Sequence, residues 1–222
     1  MNFIKVDINQ EGPEWHLFRS KGFGGTDAGI ILGLNPYETV SSIFEAKTNP
    51  EYIKEFSDSG IAAMQHGKNL EDVARKTFES IIGLEFSPIC AIHSKHSFIR
   101  SSLDGISADY STLLEIKCPY RYVNFEKHCE GILPYYYAQA QHQLLTTNSR
   151  ILFFASYFQD ELSTEVVIYK VFPDVPLQKE LTNRCLKLWK SIQNKKTPSP
   201  FTYYNYELKN ICSELYIRKK LR

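Results

Sequence analysis

Ser101-Ser102-Leu103-Asp104-Gly105, followed ten residues after its glycine by Glu115-Ile116-Lys117, is the stretch on which the reading of this 222-residue chain turns. Short apolar runs at 85–93, 97–101, 105–109 and 112–117 surround it, with turn residues between them. That spacing predicts an antiparallel meander. Side chains two apart on a strand share a face, so Glu115 and Lys117 point the same way and Ile116 points into the core. Asp104 joins them only in the right register. A two- or four-residue turn centred on Tyr110-Ser111 sets Asp104 opposite Lys117 on the shared face; a three-residue turn sets it opposite Ile116, on the other. The first register, or a bulge that restores it, is the expectation.

Such a set suits phosphodiester hydrolysis. Two-metal cleavage needs carboxylate oxygens to hold Mg²⁺, a hard ion with oxygen ligands, and gains from a cation beside the attacking water. The bare spacing is common, and a hairpin with a solvated Asp, Glu and Lys satisfies it equally. Leu113, Leu114 and Ile116 bury the strand and weigh against that alternative.

Upstream, residues 59–82 give the longest helical pattern, closed by Gly83, with Leu70, Val73, Ala74 and Phe78 as its apolar stripe. Glu71 borders the stripe. It either projects toward the strand site or pairs with Arg75 at i,i+4. Before it come a helix at 14–20 after Pro13, a turn at Gly22, Gly24 and Gly25, an apolar helix at 28–32 capped by Thr26 or Asp27, and a short helix at 41–47. Downstream, 121–130 and 135–147 read as helices, 150–158 and 163–172 as a strand pair, and 175–194 as an amphipathic helix. Within 135–147, Gln139 and Gln143 share a face and Gln141 points elsewhere. After Thr197-Pro198-Ser199-Pro200 the pattern at 206–222 allows a helix ending in basic residues. This order predicts an α/β (α+β) fold, a central mixed sheet flanked by helices. It forms one domain over 1–222, with its core at 13–195 and a tail at 196–222.

A net charge of +1 is not that of a protein that coats DNA, although an acidic metal site offsets a basic channel in such a sum. No window approaches the roughly 20 apolar residues of a membrane span, and the first ten residues lack a signal-peptide pattern. The five cysteines are odd in number and scattered, which reads as reduced thiols in a cytoplasmic protein. Cys90-x-x-His93-x-x-His96 lacks the paired cluster of a structural zinc site, and the cysteines lack iron–sulfur spacing. The runs Lys195-Lys196 and Arg218-Lys219-Lys220 read as solvated faces or as contacts to a nucleic-acid backbone. Tyr135-Tyr136-Tyr137 and Tyr203-Tyr204 read as core or as base-stacking rings.

The motifs Trp15-His16-x-x-Arg19, Gly25-Thr26-Asp27, His66-Gly67-Lys68-x-x-Glu71, Ser102-x-Asp104-Gly105, Leu114-Glu115-Ile116-Lys117-Cys118-Pro119 and Tyr137-Ala138-Gln139-Ala140-Gln141 occur in this order. Together they resemble the lambda exonuclease and YqaJ-like viral recombinase family of PD-(D/E)xK nucleases, over about 13–147. The resemblance implies a restriction-endonuclease-like core and a Mg²⁺-dependent exonuclease (Mn²⁺ substituting) that digests linear double-stranded DNA 5′ to 3′ and leaves a 3′ single strand. Asp104, Glu115 and the Ile116 carbonyl would ligate metal. Glu71 would hold a second ion or its water, Lys117 would activate or position the nucleophilic water, and Gln141 would assist it. Arg19, Thr26 and Ser102 match positions that recognise the 5′-terminal phosphate. A ring-shaped homotrimer, a single-strand annealing partner and a bacterial, phage-infected or viral host cell are further implications. Leu103 stands where the motif has Pro, and Arg121 lies two residues before Val123, the position of a further phosphate-binding Arg. A structure- or site-specific endonuclease and an inactive DNA-end-binding module are the competing functions.

Overall fold

Strand order in the sheet follows chain order without a single exchange: β1 (Phe3–Val6), β2 (Ser87–His93), β3 (Arg100–Ile106), β4 (Thr112–Lys117), β5 (Ile151–Gln159), β6 (Thr164–Val171) and β7 (Ser213–Leu221). The computed structural model describes residues 2–10, 12–198 and 212–221. Every adjacent pair is antiparallel except β4 and β5, which run parallel in the register Leu114↔Phe153 to Lys117↔Ser156. Parallel neighbours need a long crossover. Helices α5 (Tyr122–Glu130) and α6 (Pro134–Thr147) provide it.

The sheet is covered on both faces, which is why β4 and β5 read as almost continuous apolar runs rather than alternating ones. One face carries Leu113, Leu152, Phe154, Val167 and Val171. It lies under α6, under α2 (Gly25–Ile31) and under α7 (Val175–Gln193), with α3 (Val40–Thr48) at the side. The other carries Leu114, Ile116, Phe153, Ala155 and Ile168. It lies under Ala74 and Phe78 of the long helix α4 (Asp58–Ile82). Helix α1 (Pro13–Ser20) precedes α2. The fold is therefore the expected mixed sheet between helices. The central runs of the meander pair as expected, except that the two runs at 97–101 and 105–109 merge into the single strand β3.

Four expectations need correction. Residues 213–221 form a strand, not a helix; positions 206–211 and 222 lie outside the described residues. Pairing to β6 and the cross-strand ion pairs Lys220–Glu165 (3.7 Å) and Lys170–Glu214 (3.5 Å) favour an extended chain there. Phe3–Val6 also forms a strand, where none was anticipated. Helix α2 starts at Gly25 with Gly24 as N-cap, so neither Thr26 nor Asp27 caps it; Asp27 instead accepts the Gly24 N–H at 2.8 Å.

The fourth correction is the register of Asp104. Gly105 pairs with Leu114 and Ile106 with Leu113. One step further in this register places Asp104 opposite Glu115, two positions from the expected Lys117 and therefore on the same face. The turn is centred on Asp109-Tyr110, one residue early: Ser107 N–H donates to the Thr112 carbonyl, Asp109 Oδ1 accepts from Ser107 Oγ and Ser111 N–H, and Tyr110 is left-handed at φ 61°. A bulge is also present. Between Ser87↔Ile106 and Ile89↔Leu103, β3 advances three residues while β2 advances two, so Asp104 and Gly105 together face Pro88. Proline has no N–H to give the ladder, and a bulge there re-aims the adjoining side chain. Gln10 Nε2 closes the gap by donating to the Ile89 and Leu103 carbonyls at 3.1 and 3.0 Å.

Candidate active site

The carboxyl end of β4 holds the site. Glu115 is 2% exposed, and both of its oxygens are engaged. Oε1 accepts from Lys117 Nζ and from Gln139 Nε2, each at 2.6 Å, and Oε2 accepts from Gln143 Nε2 at 2.6 Å. Lys117 Nζ also donates to Gln139 Oε1 at 3.2 Å and lies 4.7 Å from the centre of the Tyr136 ring. Burial works against the Lys117 ammonium, but the Glu115 charge, with Tyr136 and Asp104, more than offsets it and raises its pKa.

Asp104 faces this group from the bulge of β3. Its Oδ2 accepts the Ile116 N–H at 2.8 Å, and its own carbonyl accepts Arg75 Nε at 3.0 Å. Burial, and then the Glu115 charge, hold its carboxyl well above the usual range; Glu71 adds to the rise, while Lys117 and the Ile116 N–H oppose it. Arg75 brings in Glu71, which pairs with it at 2.5 Å from α4, and also binds Asp72 at 2.7 Å. The i,i+4 pair and the approach to the strand site, alternatives in the sequence, thus coexist.

Gln141 does not reach this cluster. It is fully buried on another side of α6, where Nε2 donates to the Phe172 carbonyl at 2.8 Å and Oε1 accepts from Asp174 N–H and Gln178 Nε2 at 2.8 and 3.0 Å. Two residues on a helix are about 200° apart, so Gln141 cannot share a face with Gln139 or Gln143. Gln139 lies within the matched motif but was given no role there, and Gln143, Arg75 and Tyr136 lie outside the matched motifs; these are the site neighbours that the reading missed. The four-residue spacing of Gln139 and Gln143 was their signal.

The phosphate candidates divide. The Arg19 guanidinium lies 4.5 Å over the Trp15 ring, and the Trp15 indole N–H donates to Ser102 Oγ at 2.7 Å, so α1 and β3 bring Arg19 and Ser102 together. Thr26 is exposed in the first turn of α2. Its neighbour Gly25 packs so closely on α6 that a Cβ there would lie 3.0 Å from Gln139 Cγ, which places this turn beside the Glu115 cluster. Arg121 is exposed at the N-cap of α5, four residues past Lys117.

Hard oxygen donors suit Mg²⁺, which needs only one or two carboxylates and keeps several waters. Asp104 and Glu115 meet that requirement; burial, and then the Glu115 charge, raise the Asp104 pKa, and a cation would offset the second of these. Among the described residues, no three His, Cys, Asp or Glu side chains converge on one point. The donor set fits a hydrated ion rather than a closed protein cage.

Residues 14–150 match the YqaJ-like viral recombinase domain. The chain belongs to this family. The YqaJ-like domain here is 35% identical over 133 residues to the uncharacterized protein YqaJ of Bacillus subtilis strain 168, covering 59% of this chain and 41% of that relative. It thus spans about two-fifths of that relative's length. Its fold is that of an alkaline exonuclease, LHK-Exo, from Laribacter hongkongensis (TM-score 0.69, 21% identity, 83% of this chain and 94% of the other), a protein also solved in complex with dAMP. A phage-related exonuclease from Haemophilus somnus 129PT is similar at a TM-score of 0.58 and 12% identity, over 78% of this chain and 94% of the other.

Proposed function

We propose that this YqaJ-like domain is a divalent-metal-dependent deoxyribonuclease that digests linear duplex DNA 5′ to 3′ and leaves a 3′ single strand. The observation that carries it is the meeting of Asp104, Glu115 and Lys117 at the end of β4. The fold shared with two exonucleases, one of them crystallised with the deoxynucleotide dAMP, supports the choice of substrate class. Asp104, Glu115 and the Ile116 carbonyl would hold Mg²⁺ or Mn²⁺, with Glu71 toward a second ion or its water. A bound ion would supply Lewis acidity at the phosphate and acidify a bound water.

The protein's own groups prepare that step. Lys117, kept as an ammonium by Glu115, acts as a fixed cation that orients the nucleophilic water rather than as its base. Gln139 holds both members of that pair, and Gln143 holds the second Glu115 oxygen. Arg75 fixes the Asp104 backbone and ties α4 to the site. Arg19, Ser102 and Thr26 would take the 5′ phosphate through a guanidinium and hydroxyls, with Arg121 further along the strand. A trimeric ring, a single-strand annealing partner and action in the cytoplasm of a bacterial or phage-infected cell belong to the same proposal through the family resemblance.

The test is digestion of linear duplex DNA carrying a 5′ phosphate on one strand only, in Mg²⁺, by wild type and Lys117→Ala. Progressive loss of the phosphorylated strand with wild type alone supports the reading. Cuts in a covalently closed circle would transfer it to an endonuclease, and binding without cleavage by either protein to an end-binding module.

A further inference from the structure

We infer that Tyr37 is a stacking platform for an unpaired nucleobase of the DNA strand engaged at the Lys117 site, an inference that rests on the nuclease reading above. Three rings step outward from the lysine. Tyr136 lies 4.7 Å from Lys117 Nζ, Tyr135 lies 4.4 Å from Tyr136, and Tyr37 lies 6.3 Å from Tyr135, centre to centre. The two inner rings are half-buried and the outermost is open. Tyr136 packs inward on Phe154 and His128, Tyr135 is half-buried, and Tyr37 is 80% exposed.

The exposed ring is presented by a fixed loop. Asn35 Oδ1 accepts the Tyr37 and Glu38 N–H groups at 2.7 and 3.2 Å, and the Gly29 carbonyl accepts those of Leu34 and Asn35 at 2.7 and 3.1 Å. Gly29 also receives Tyr135. A Cβ at position 29 would lie 2.8 Å from Tyr135 Cβ, so only glycine permits this approach. Helix α2 therefore anchors both ring-bearing segments. Tyr37 meets Tyr135 edge to face at 76° and leaves most of its own surface open.

Every base has a π-face, so stacking holds a strand without reading its sequence. A nuclease that degrades duplex ends separates strands next to its metal site and needs a hold of that kind. In the proposed function the Lys117 end of the row meets the backbone at the metal site, and the aromatic end suits the bases. The structure thus assigns Tyr37 a binding role outside the carboxylate cluster.

The test is fluorescence anisotropy with a labelled single strand of about 16 nucleotides, in EDTA to prevent cleavage, for wild type, Tyr37→Ala and Tyr37→Phe. A second strand carries abasic sites in place of its bases. Tyr37→Ala should weaken binding of the normal strand roughly tenfold, Tyr37→Phe should stay within about twofold, and the abasic strand should bind wild type and Tyr37→Ala alike. Equal binding by wild type and Tyr37→Ala would overturn the inference. So would a loss in Tyr37→Phe as large as that in Tyr37→Ala, which would point to the hydroxyl. The duplex digestion above separates the two readings: digestion by wild type with an indifferent Tyr37→Ala sinks the platform alone, whereas neither binding nor digestion by wild type sinks both.

Discussion

Helix α6 presents polar side chains in two directions, and they do different things. Gln139 and Gln143 reach down to the Glu115 carboxylate, while Gln141, between them in sequence, clamps the turn from β6 into α7 through Phe172, Asp174 and Gln178. All three are buried. An amide that donates to a carboxylate makes a charge-assisted bond, and under the proposed function it positions a metal-holding group. An amide that satisfies a backbone carbonyl and N–H holds two elements together and touches nothing that reacts. Motif matching favoured Gln141 as the assistant, whereas helical spacing had already turned it away.

The largest expected effect tests the reacting side. Lys117→Ala removes the cation and leaves Glu115 with two amide donors, and nuclease activity should fall by roughly 10³-fold or more. Glu115→Gln, which keeps the shape of the side chain but removes its charge and turns one of its two acceptors into a donor, should lose a similar amount while remaining folded by thermal melting. Activity surviving both changes would detach the chemistry from β4. Next in size, Gln139→Ala removes a bond to a charged oxygen, worth about 1.5–3 kcal/mol, so kcat should drop roughly 10- to 100-fold with KM for DNA little changed. A drop confined to KM would make Gln139 a DNA contact instead.

Gln141→Ala should show the opposite pattern. It leaves the Phe172 carbonyl and the Asp174 N–H without their amide partner inside the protein, and each such group costs about 1–3 kcal/mol. Urea unfolding should report a loss of about 2–4 kcal/mol, while kcat per folded molecule stays within about twofold of wild type. A large kcat defect without a stability defect would return Gln141 to the active site and reverse the comparison.

The sequence made β4 readable because its information is local: two charges spaced for one face, flanked by leucines and an isoleucine. The α6 glutamines were readable for the same reason, since their spacing alone separates Gln141 from the other two. What it hid depends on distant partners. The bulge at Asp104-Gly105 needs Pro88 opposite, 16 residues before Asp104, and nothing near Asp104 announces it. The strands Phe3–Val6 and Ser213–Leu221 exist because β2 and β6 offer open edges; a short or charged segment has no strong preference until such an edge recruits it. Arg75 looked like half of a surface pair. Its bond to the Asp104 carbonyl appears only once α4 lies across the sheet.

The smallest effect at neutral pH concerns His142, which faces a third direction from α6. Its Nδ1 lies 3.2 Å from Ser101 Oγ and 3.5 Å from Thr146 Oγ1, with the Phe23 backbone and His93 nearby, and the ring is fully buried. Burial, opposed by the Phe23 backbone contact and reinforced by His93, lowers its pKa from the usual 6.5 to about 4. Above pH 6.5 the imidazole is neutral in both folded and unfolded chains and contributes no pH dependence. Between about pH 6.5 and 4 the unfolded chain binds a proton that the folded one does not, so stability rises with pH and is lost on acidification. The loss is on the order of 2 kcal/mol at pH 5 and 3 kcal/mol at pH 4. Urea midpoints for wild type and His142→Gln at pH 7 and pH 5 measure it: the acid-induced fall should be smaller in the variant by about that amount. Equal falls in the two proteins would mean that the imidazole titrates normally and that this side of α6 opens to water, unlike the sides bearing Gln139 and Gln141.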